Sequence, residues 1–314
     1  MPPSLQCNDQ TPIFVFPLMM LNAFERIGDM RCGVGESPVW HAVEAALYWT
    51  DIPNRMLWRF DPATGRSDHW SVPEMTGSMA MTADGGWLLA MESGLFRIGR
   101  LVPGNAAELP RRVATVPHVR SDMRFNDGRC DRQGRFWAGT MVQDTALGAA
   151  QGRLYRFDAT SGVLDMHREG MITPNGLAFS PDGRTMYLSD SHPSRQSVWV
   201  FDYDTDAGVP ANGRLFIDMH NYPGRPDGAA IDEDGCYWIC GNDAGQIHRF
   251  TPNGRLDRSV AVPFAKPAMC AFGGAGLDTL FVTSIRADES DPLSGAVVAL
   301  RPGVRGVAEP ELRG

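Results

Sequence analysis

The sequence predicts an all-β protein, a six-bladed β-propeller with four antiparallel strands in each blade. Three observations predict this fold. An aromatic-rich strand pattern occurs six times, further strand patterns follow each copy, and the chain has no amphipathic helix of useful length. Four strands repeated at roughly 45 residues are typical of propeller blades. A chain of 314 residues could form two average domains or one large all-β domain, and the repeat favours one.

The most regular element is the second strand of each blade, which ends on a small residue. The six patterns span residues 47–50, 87–90, 135–138, 186–189, 237–240 and 280–283. Their last residues are Thr50, Ala90, Ala138, Ser189, Cys240 and Thr283, at intervals of 40, 48, 51, 51 and 43. A Gly or a short polar turn precedes most of these strands, as expected for the tight connection of a β-hairpin.

A third strand is predicted in every repeat, but a fourth in only five. The third strands are predicted at 57–60, 95–98, 154–157, 198–201, 247–250 and 297–300. The fourth strands are predicted at 68–72, 112–116, 164–168, 214–218 and 257–262. Because a closed ring leaves no free sheet edge, we expect the unassigned strand at 23–27 to complete the last blade. Residues 23–314 then form a single propeller domain, and residues 1–22 an N-terminal appendage.

Composition excludes some classes of function. The formal net charge is -8 at pH 7, so we expect neither nucleic acid nor a membrane surface as a partner, since both require clustered Lys and Arg. Hydrophobic residues make up 43% of the chain and charged residues 21%, as in an ordinary globular protein that buries a sizeable core. No feature of the sequence indicates an obligate protein partner.

Cysteine usage and the N-terminal stretch bear on location. The six cysteines form no Cys-x-x-Cys pair, so packed free thiols are favoured over metal ligands or a disulfide. Free thiols fit a reducing compartment, and the expected location is cytoplasmic. The apolar stretch 13–21 contains Pro17 and is too short to span a bilayer. A signal peptide is the less favoured interpretation of this region.

Four polar residues occupy the same position in four of the repeats. Counting back 12 to 14 residues from the small residue of each second strand leads to Glu36, Asn126, Asn175 and Asp227. Each lies beside a Gly or an Asp-Gly pair, and taken singly each could be an ordinary turn residue. In a propeller, however, the innermost strands all begin around the mouth of the central channel. Two carboxylates and two amides meeting there favour a hard divalent cation such as Ca²⁺, Mg²⁺ or Mn²⁺ over zinc.

One further acid is placed by loop length. The connection between the second and third strands of the third blade is about twice as long as in the first two blades, and residues 142–151 form the extra loop. This loop overhangs the predicted mouth and contains Asp144, which is either a solvated loop acid or part of a site. A similar extension at 286–294 in the sixth blade would lie on the same face.

Several motifs, taken together and in order, resemble the gluconolactonase family, also described as senescence-marker-protein or regucalcin-like proteins. They are Gly-Glu-Ser-Pro-Val-Trp at 35–40, Leu-Tyr-Trp-Thr-Asp-Ile at 47–52, Arg-Phe-Asn-Asp-Gly at 124–128, Phe-Trp-Ala-Gly-Thr-Met at 136–141, Thr-Pro-Asn-Gly-Leu at 173–177, Ser-Pro-Asp-Gly at 180–183 and Arg-Pro-Asp-Gly at 225–228. The resemblance covers roughly residues 23–303 and implies a six-bladed propeller.

The resemblance also implies an activity, the metal-dependent hydrolysis of a sugar lactone to its aldonic acid. It implies one divalent cation held by Glu36, Asn175 and Asp227, with Ca²⁺ favoured and Mg²⁺, Mn²⁺, Zn²⁺ or Fe²⁺ as alternatives. It implies substrate contacts from Arg124, Asn126 and Asp144. The position of Asp227 is usually cast as the catalytic base. The chain departs from the family pattern at Ser37, where Gly is common, and at Asp144, where animal members often have Glu.

Alternatives stay open at this point. A phosphotriesterase or arylesterase on the same propeller is the nearest other enzyme, and a non-catalytic calcium-binding propeller is a different class. Within the lactonase hypothesis, the activation of water is also open. A carboxylate bound directly to a cation is a poor base, so either Asp227 binds the ion loosely or metal-bound hydroxide attacks the lactone.

Overall fold

Six antiparallel sheets of four strands each make up the computed structural model, which describes residues 24–314. The all-β six-bladed propeller predicted from the repeat is confirmed. Within these residues the helical elements are two short 3-10 turns, Thr145–Leu147 and Met219–Asn221, and no helix is long and apolar enough to cross a membrane. The predicted appendage at 1–22 lies outside the described residues, so the domain boundaries stay a prediction.

The strands follow one another in chain order from the channel outwards. They are β1 (Phe24–Ile27), β2 (Gly35–His41), β3 (Ala46–Asp51), β4 (Met56–Asp61), β5 (Arg66–Ser71), β6 (Thr76–Met81), β7 (Trp87–Met91), β8 (Gly94–Ile98), β9 (Arg111–Thr115), β10 (Met123–Cys130), β11 (Phe136–Val142), β12 (Gly152–Asp158), β13 (Val163–Met171), β14 (Pro174–Phe179), β15 (Thr185–Asp190), β16 (Ser197–Asp204), β17 (Val209–Asp218), β18 (Arg225–Ile231), β19 (Tyr237–Asn242), β20 (Gln246–Phe250), β21 (Leu256–Ala261), β22 (Pro267–Gly273), β23 (Thr279–Ser284) and β24 (Val297–Leu300). Blades one to five are β2–β5, β6–β9, β10–β13, β14–β17 and β18–β21, and the sixth has the order β22-β23-β24-β1.

The second strands of the blades are the most deeply buried elements. They are the predicted aromatic-rich strands, β3, β7, β11, β15, β19 and β23, and every residue of β7, β11 and β19 is buried. Their Trp and Tyr side chains are among the largest fully buried ones in the described chain. A strand with both faces covered can be apolar throughout, which is why these six runs give the clearest signal in the sequence.

The hydrophobic core consists of six clusters, one between each pair of neighbouring blades. Blades one and two share the cluster around Trp87, blades three and four the cluster around Trp137, and blades five and six the cluster around Trp238. Three further clusters fill the remaining interfaces. Because each sheet is covered on both faces by its neighbours, no blade has a complete core of its own.

The ring closes through the strand at the start of the described chain. β1 pairs antiparallel with β24, with Phe24 opposite Leu300 and Ile27 opposite Val297. Ile27 is 3% exposed and belongs to the cluster between blades six and one. The predicted completion of the last blade by an N-terminal strand is therefore confirmed for residues 24–27, while Ala23 lies outside the described residues.

The C-terminal segment, residues 301–314, crosses the face opposite the predicted mouth. It forms bridges from Gly306 to Asp232 in blade five and from Leu312 to Thr82 in blade two. Between them, the Glu309 carboxylate lies 3.3 Å from Nε of Arg129, a buried residue of β10. The sequence predicted only that this segment is not a regular strand. Its position across the ring closes one end of the central channel.

We expect Ile27→Ala to lower the free energy of unfolding by about 2–5 kcal/mol, because it removes a buried side chain at the one interface that joins the two ends of the chain. Chemical denaturation followed by tryptophan fluorescence measures the change. The matched control is Val43→Ala, since Val43 is 90% exposed and its loss should change stability by less than about 0.5 kcal/mol. Equal effects of the two substitutions would contradict the role of β1 in closing the ring.

Candidate functional site

The six innermost strands, β2, β6, β10, β14, β18 and β22, share a local irregularity. Each pairs with the second strand of its blade through a register shift close to its first residues, as in a β-bulge. Bulges redirect side chains and are common next to active sites. Asn126 and Asp227 lie inside two of the bulges, and Glu36 and Asn175 lie at the edge of two others. The repeat therefore brings these four side chains to the same level of the channel.

Close packing at these bulges explains why small residues occur at the ends of the second strands and beside the polar channel residues. Gly176 has a φ of +60°, and a Cβ added to it would lie 2.4 Å from the Tyr237 hydroxyl and 2.7 Å from Oγ of Ser189. Only Gly fits this position, and a larger residue at 189 would collide with the bulge. Ser37 has a φ of 49°. Its Oγ accepts a hydrogen bond from the Met79 amide at 2.9 Å, which offsets part of the strain.

A directed chain of hydrogen bonds joins blades three, four and five. Nη1 of Arg124 donates to Oδ1 of Asn126 at 2.9 Å, and Nδ2 of Asn126 donates to Oδ1 of Asn175 at 2.9 Å. Nδ2 of Asn175 then donates to Oδ1 of Asp227 at 2.8 Å. The other oxygen of Asp227 accepts from Nδ2 of Asn242 at 2.6 Å. Each amide is thereby fixed in one orientation, and the chain ends on the Asp227 carboxylate.

Glu36 is the exception among the four predicted channel residues. Its Oε2 accepts the backbone N–H of Ser37 at 3.2 Å, and Oε1 receives no hydrogen bond within residues 24–314. Burial, with the charges of Asp227 and Asp127 nearby, raises the pKa of Glu36 well above its ordinary value. Burial also raises the pKa of Asp227 to about 7, although the hydrogen bond from Asn242 and the charge of Arg225 act against it.

These residues line one cavity of about 280 Å³ that opens at the predicted mouth. Its walls contain all four predicted channel residues and Arg124. They also contain Ser191, Arg225 and Asn242, which the sequence reasoning missed. Ser191 and Asn242 each follow the small residue of a second strand by two positions, as do Ile52 and Ile285, which line the same cavity. Counting two residues forward from those small residues would have found them.

Asp144 is the predicted site residue that lies apart from the others. Its side chain is exposed and accepts the Ala146 amide at 3.1 Å, so that it caps the 3-10 turn Thr145–Leu147. Its neighbours Gln143 and Thr145 line the cavity, whereas Asp144 does not. The predicted loop therefore reaches the mouth, and a contact between Asp144 and a substrate stays a prediction.

The donor set suits a hard divalent cation. Glu36, Asn175 and Asp227 are buried and face one cavity, and they offer two carboxylates and an amide without sulfur or imidazole. Burial raises the pKa of both acids more than the nearby Arg124 and Arg225 lower it, so a cation bound between them would favour their ionised forms. No group of three or more His, Cys, Asp or Glu side chains between residues 24 and 314 is arranged to hold a metal. Any ion here therefore relies on amide oxygens as well as carboxylates.

Comparison with known proteins places the fold and the motifs in a family. The family model described as SMP-30/Gluconolactonase/LRE-like region matches residues 34–286. A 6-deoxy-6-sulfogluconolactonase of Pseudomonas putida is 38% identical over 90% of this chain and 95% of its own. A pentonolactonase of Haloferax volcanii is 34% identical over 92% of this chain and 97% of its own.

Solved structures agree with this placement. The chain is similar to a calcium-binding protein, regucalcin, from Agrobacterium tumefaciens, with a TM-score of 0.85 and 26% identity, over 93% of this chain and 98% of the other. The resemblance stated from the motifs is thus confirmed over nearly the whole length that carried it.

The raised pKa of Glu36 predicts a pH-dependent cost to stability in metal-free protein. The folded state keeps this proton to higher pH than the unfolded chain, so stability falls as pH rises from about 4.5 through the raised pKa. We expect Glu36→Gln, which cannot ionise, to match the wild type near pH 5 and to melt at least ~2 °C higher at pH 8 in EDTA.

Scanning calorimetry across this pH range measures the difference, with Glu25→Gln in the exposed part of β1 as the matched control. If the melting temperatures of Glu36→Gln and of the wild type differ by the same amount at every pH, Glu36 is not a buried, uncompensated charge.

Proposed function

The chain belongs to the SMP-30/gluconolactonase/LRE-like family, and we propose that it is a divalent-metal-dependent lactonase that hydrolyses a sugar lactone to the aldonic acid. The observation that carries this proposal is the pair of buried carboxylates, Glu36 and Asp227, which line the same cavity as the hydrogen-bonded amides. Support also comes from two relatives whose names are those of sugar lactonases.

Glu36, Asn175 and Asp227 would hold the cation, which when bound supplies Lewis-acid polarisation of the lactone carbonyl. Ca²⁺ is the ion we favour, in keeping with the calcium-binding regucalcin structure. Glu36 has a carboxylate oxygen without a hydrogen bond, whereas both oxygens of Asp227 accept from amides. This difference supports the proposal that Glu36 would make the main electrostatic contact with the ion and that Asp227 would be freer to exchange a proton.

Asp227 is proposed as the general base. Its carboxylate takes a proton from water as the water oxygen bonds to the carbonyl carbon, and it returns the proton to the ring oxygen when the ring C–O bond breaks. A base is most effective when its pKa lies near the working pH, and burial raises the pKa of Asp227 to about 7 in the protein without the ion. Because a directly bound cation would lower this pKa, the role requires Asp227 to hold the ion only loosely. Asn175 and Asn242 hold the carboxylate in place through its two oxygens, so that proton transfer needs no reorientation.

Arg124, Asn126 and Asp144 are proposed to bind hydroxyl groups of the sugar. Arg124 and Asn126 lie in the cavity wall beside the amide chain. Asp144 caps the loop whose neighbouring residues form part of that wall. We further propose a cytoplasmic location, which fits the five buried free cysteines of the described residues, Cys32, Cys130, Cys236, Cys240 and Cys270.

The activity is tested with metal-stripped protein re-supplied with Ca²⁺, Mg²⁺, Mn²⁺ or Zn²⁺, using a pH-based assay on pentonolactones, hexonolactones and paraoxon. We expect the metal-stripped protein to lose its activity on sugar lactones and to regain it when the ion is added. Glu36→Gln and Asp227→Asn should each lower kcat/KM by at least ~10²-fold, as losses at an electrophilic site do. Glu233→Gln, on the opposite face beside Arg305, is the control that should leave the activity unchanged.

Three outcomes would contradict the proposal. If either variant keeps near-full activity with unchanged metal content, the substituted residue, Glu36 or Asp227, has no part in the reaction. Faster hydrolysis of paraoxon than of every lactone would favour a phosphotriesterase. Binding of Ca²⁺ by calorimetry without turnover of any substrate would favour a non-catalytic calcium-binding propeller.

A second prediction separates recognition from chemistry. If Asp144 binds a substrate hydroxyl, Asp144→Ala should lower kcat/KM unequally across sugar lactones and flatten the preference among them, because a hydrogen-bonding group discriminates through that bond. Asp227→Asn should lower all of them alike. The matched control is Asp158→Ala, which removes a similar backbone cap in the same blade, at the turn between β12 and β13. A uniform loss in Asp144→Ala would place Asp144 in the chemical step.

A further inference from the structure

A second arginine faces the cavity, and the hydrogen-bond chain does not use it. Arg225 is the first residue of β18 and lines the cavity together with Arg124. It precedes Asp227 by two residues, and both residues line the same cavity. Its side chain is 30% exposed, which places it nearer the mouth than the buried Asp227.

Two of the three guanidinium nitrogens of Arg225 have acceptors. Nε donates to Oδ2 of Asp243 at 2.6 Å, and Nη1 lies 3.4 Å from the Ser191 carbonyl oxygen. Nη2 has no acceptor among residues 24–314. The residue therefore has a fixed orientation and a donor to spare at the cavity, which is the arrangement of a binding group rather than of a saturated structural ion pair.

Arg225 shares its paired carboxylate with a second cation. The second oxygen of Asp243 accepts from Nζ of Lys266, so Arg225, Lys266 and Asp243 together have a formal charge of +1, which also acts on the buried Asp227. Although partial burial acts against it, these two partners lower the pKa of Asp243, which keeps the carboxylate ionised.

We propose that Arg225, with Lys266 behind it, forms a subsite for an anionic substituent on the lactone. This inference rests on the proposed lactonase function and narrows its substrate class to lactones that carry a phosphate, sulfonate or carboxylate. The planar guanidinium matches the oxygen geometry of all three groups. Arg124 has a different proposed task, because its Nη1 donates to Asn126 and to the Phe125 carbonyl oxygen and the residue is proposed above to bind hydroxyl groups.

The kinetic test compares D-glucono-1,5-lactone with its 6-phospho and 6-deoxy-6-sulfo derivatives and with D-glucaro-1,4-lactone, which carries a carboxylate. We expect at least one charged lactone to exceed the neutral one in kcat/KM by ~10-fold or more, since charge-assisted hydrogen bonds are the strong ones. Arg225→Gln keeps a donor for Asp243 but removes the charge, and it should reduce this ratio to about 1. Arg225→Lys should keep part of the ratio.

Arg286→Met is the matched control, because Arg286 belongs to the sixth-blade extension on the same face but does not line the cavity. In Arg286→Met the ratio of kcat/KM for the charged lactone to kcat/KM for the neutral lactone should equal that of the wild type. The proposal is overturned if the wild type prefers no charged lactone, or if Arg225→Gln keeps the wild-type ratio. The three charged lactones show which anion the subsite accepts.

A binding experiment keeps this inference separate from the lactonase proposal. Calorimetry compares 6-phosphogluconate with gluconate, which differ only in the second anionic group. We expect the wild type to bind the phosphate compound at least ~10-fold more tightly and Arg225→Gln to lose that advantage. If no lactone is hydrolysed but this difference appears, the lactonase function fails and the anion subsite stands. If lactones are hydrolysed and the two ligands bind equally, the subsite is wrong and the function stands.

Discussion

The structure depends on the requirement that every blade be covered on both faces by a neighbour. Each of the six hydrophobic clusters joins two adjacent blades, so no sheet can bury its apolar surface alone. A linear stack of such sheets would leave two apolar faces in water, and only a closed ring removes both. The pairing of β1 with β24 joins the two ends of the chain in one sheet. Ring closure is therefore a condition for a complete core.

Ring closure also creates the functional site. The innermost strands of blades one and five are far apart in the chain, yet the ring holds Glu36 and Asp227 close enough that the charge of Asp227 adds to the effect of burial in raising the pKa of Glu36. Two buried like charges oppose folding, and the interfaces between blades supply the stability that tolerates them. The C-terminal segment adds the Arg129–Glu309 ion pair at the other end of the channel, so that the cavity is reached from one face. A site with a single entrance limits water and can be specific.

Much of this could be predicted from the sequence because propeller blades repeat. The six second strands, the completing strand before residue 28 and the convergence of Glu36, Asn126, Asn175 and Asp227 all follow from a common register. The position of Asn242 follows from the same register, two residues after Cys240, but its hydrogen bond to Asp227 does not, because only this blade pairs an amide there with a carboxylate. The path of residues 301–314 could not be predicted either, because it lies outside the repeat. The exposed side chain of Asp144 depends on the conformation of one loop, which periodicity does not encode.

The residue types in the channel follow from charge. Asp127, Glu36 and Asp227 already bring three acids into the channel, and burial raises the pKa of each. Carboxylates in place of Asn126, Asn175 and Asn242 would bring further negative charge that one divalent ion could not neutralise.

An amide can accept on one side and donate on the other, so it passes an orientation from one blade to the next without adding charge. The chain from Arg124 reaches Asp227 through Asn175, and Asn242 supplies a second donor to the same carboxylate. Donors to a carboxylate favour its ionised form and oppose the effect of burial. Asn242 thus fixes one oxygen of Asp227 and also limits the rise of its pKa.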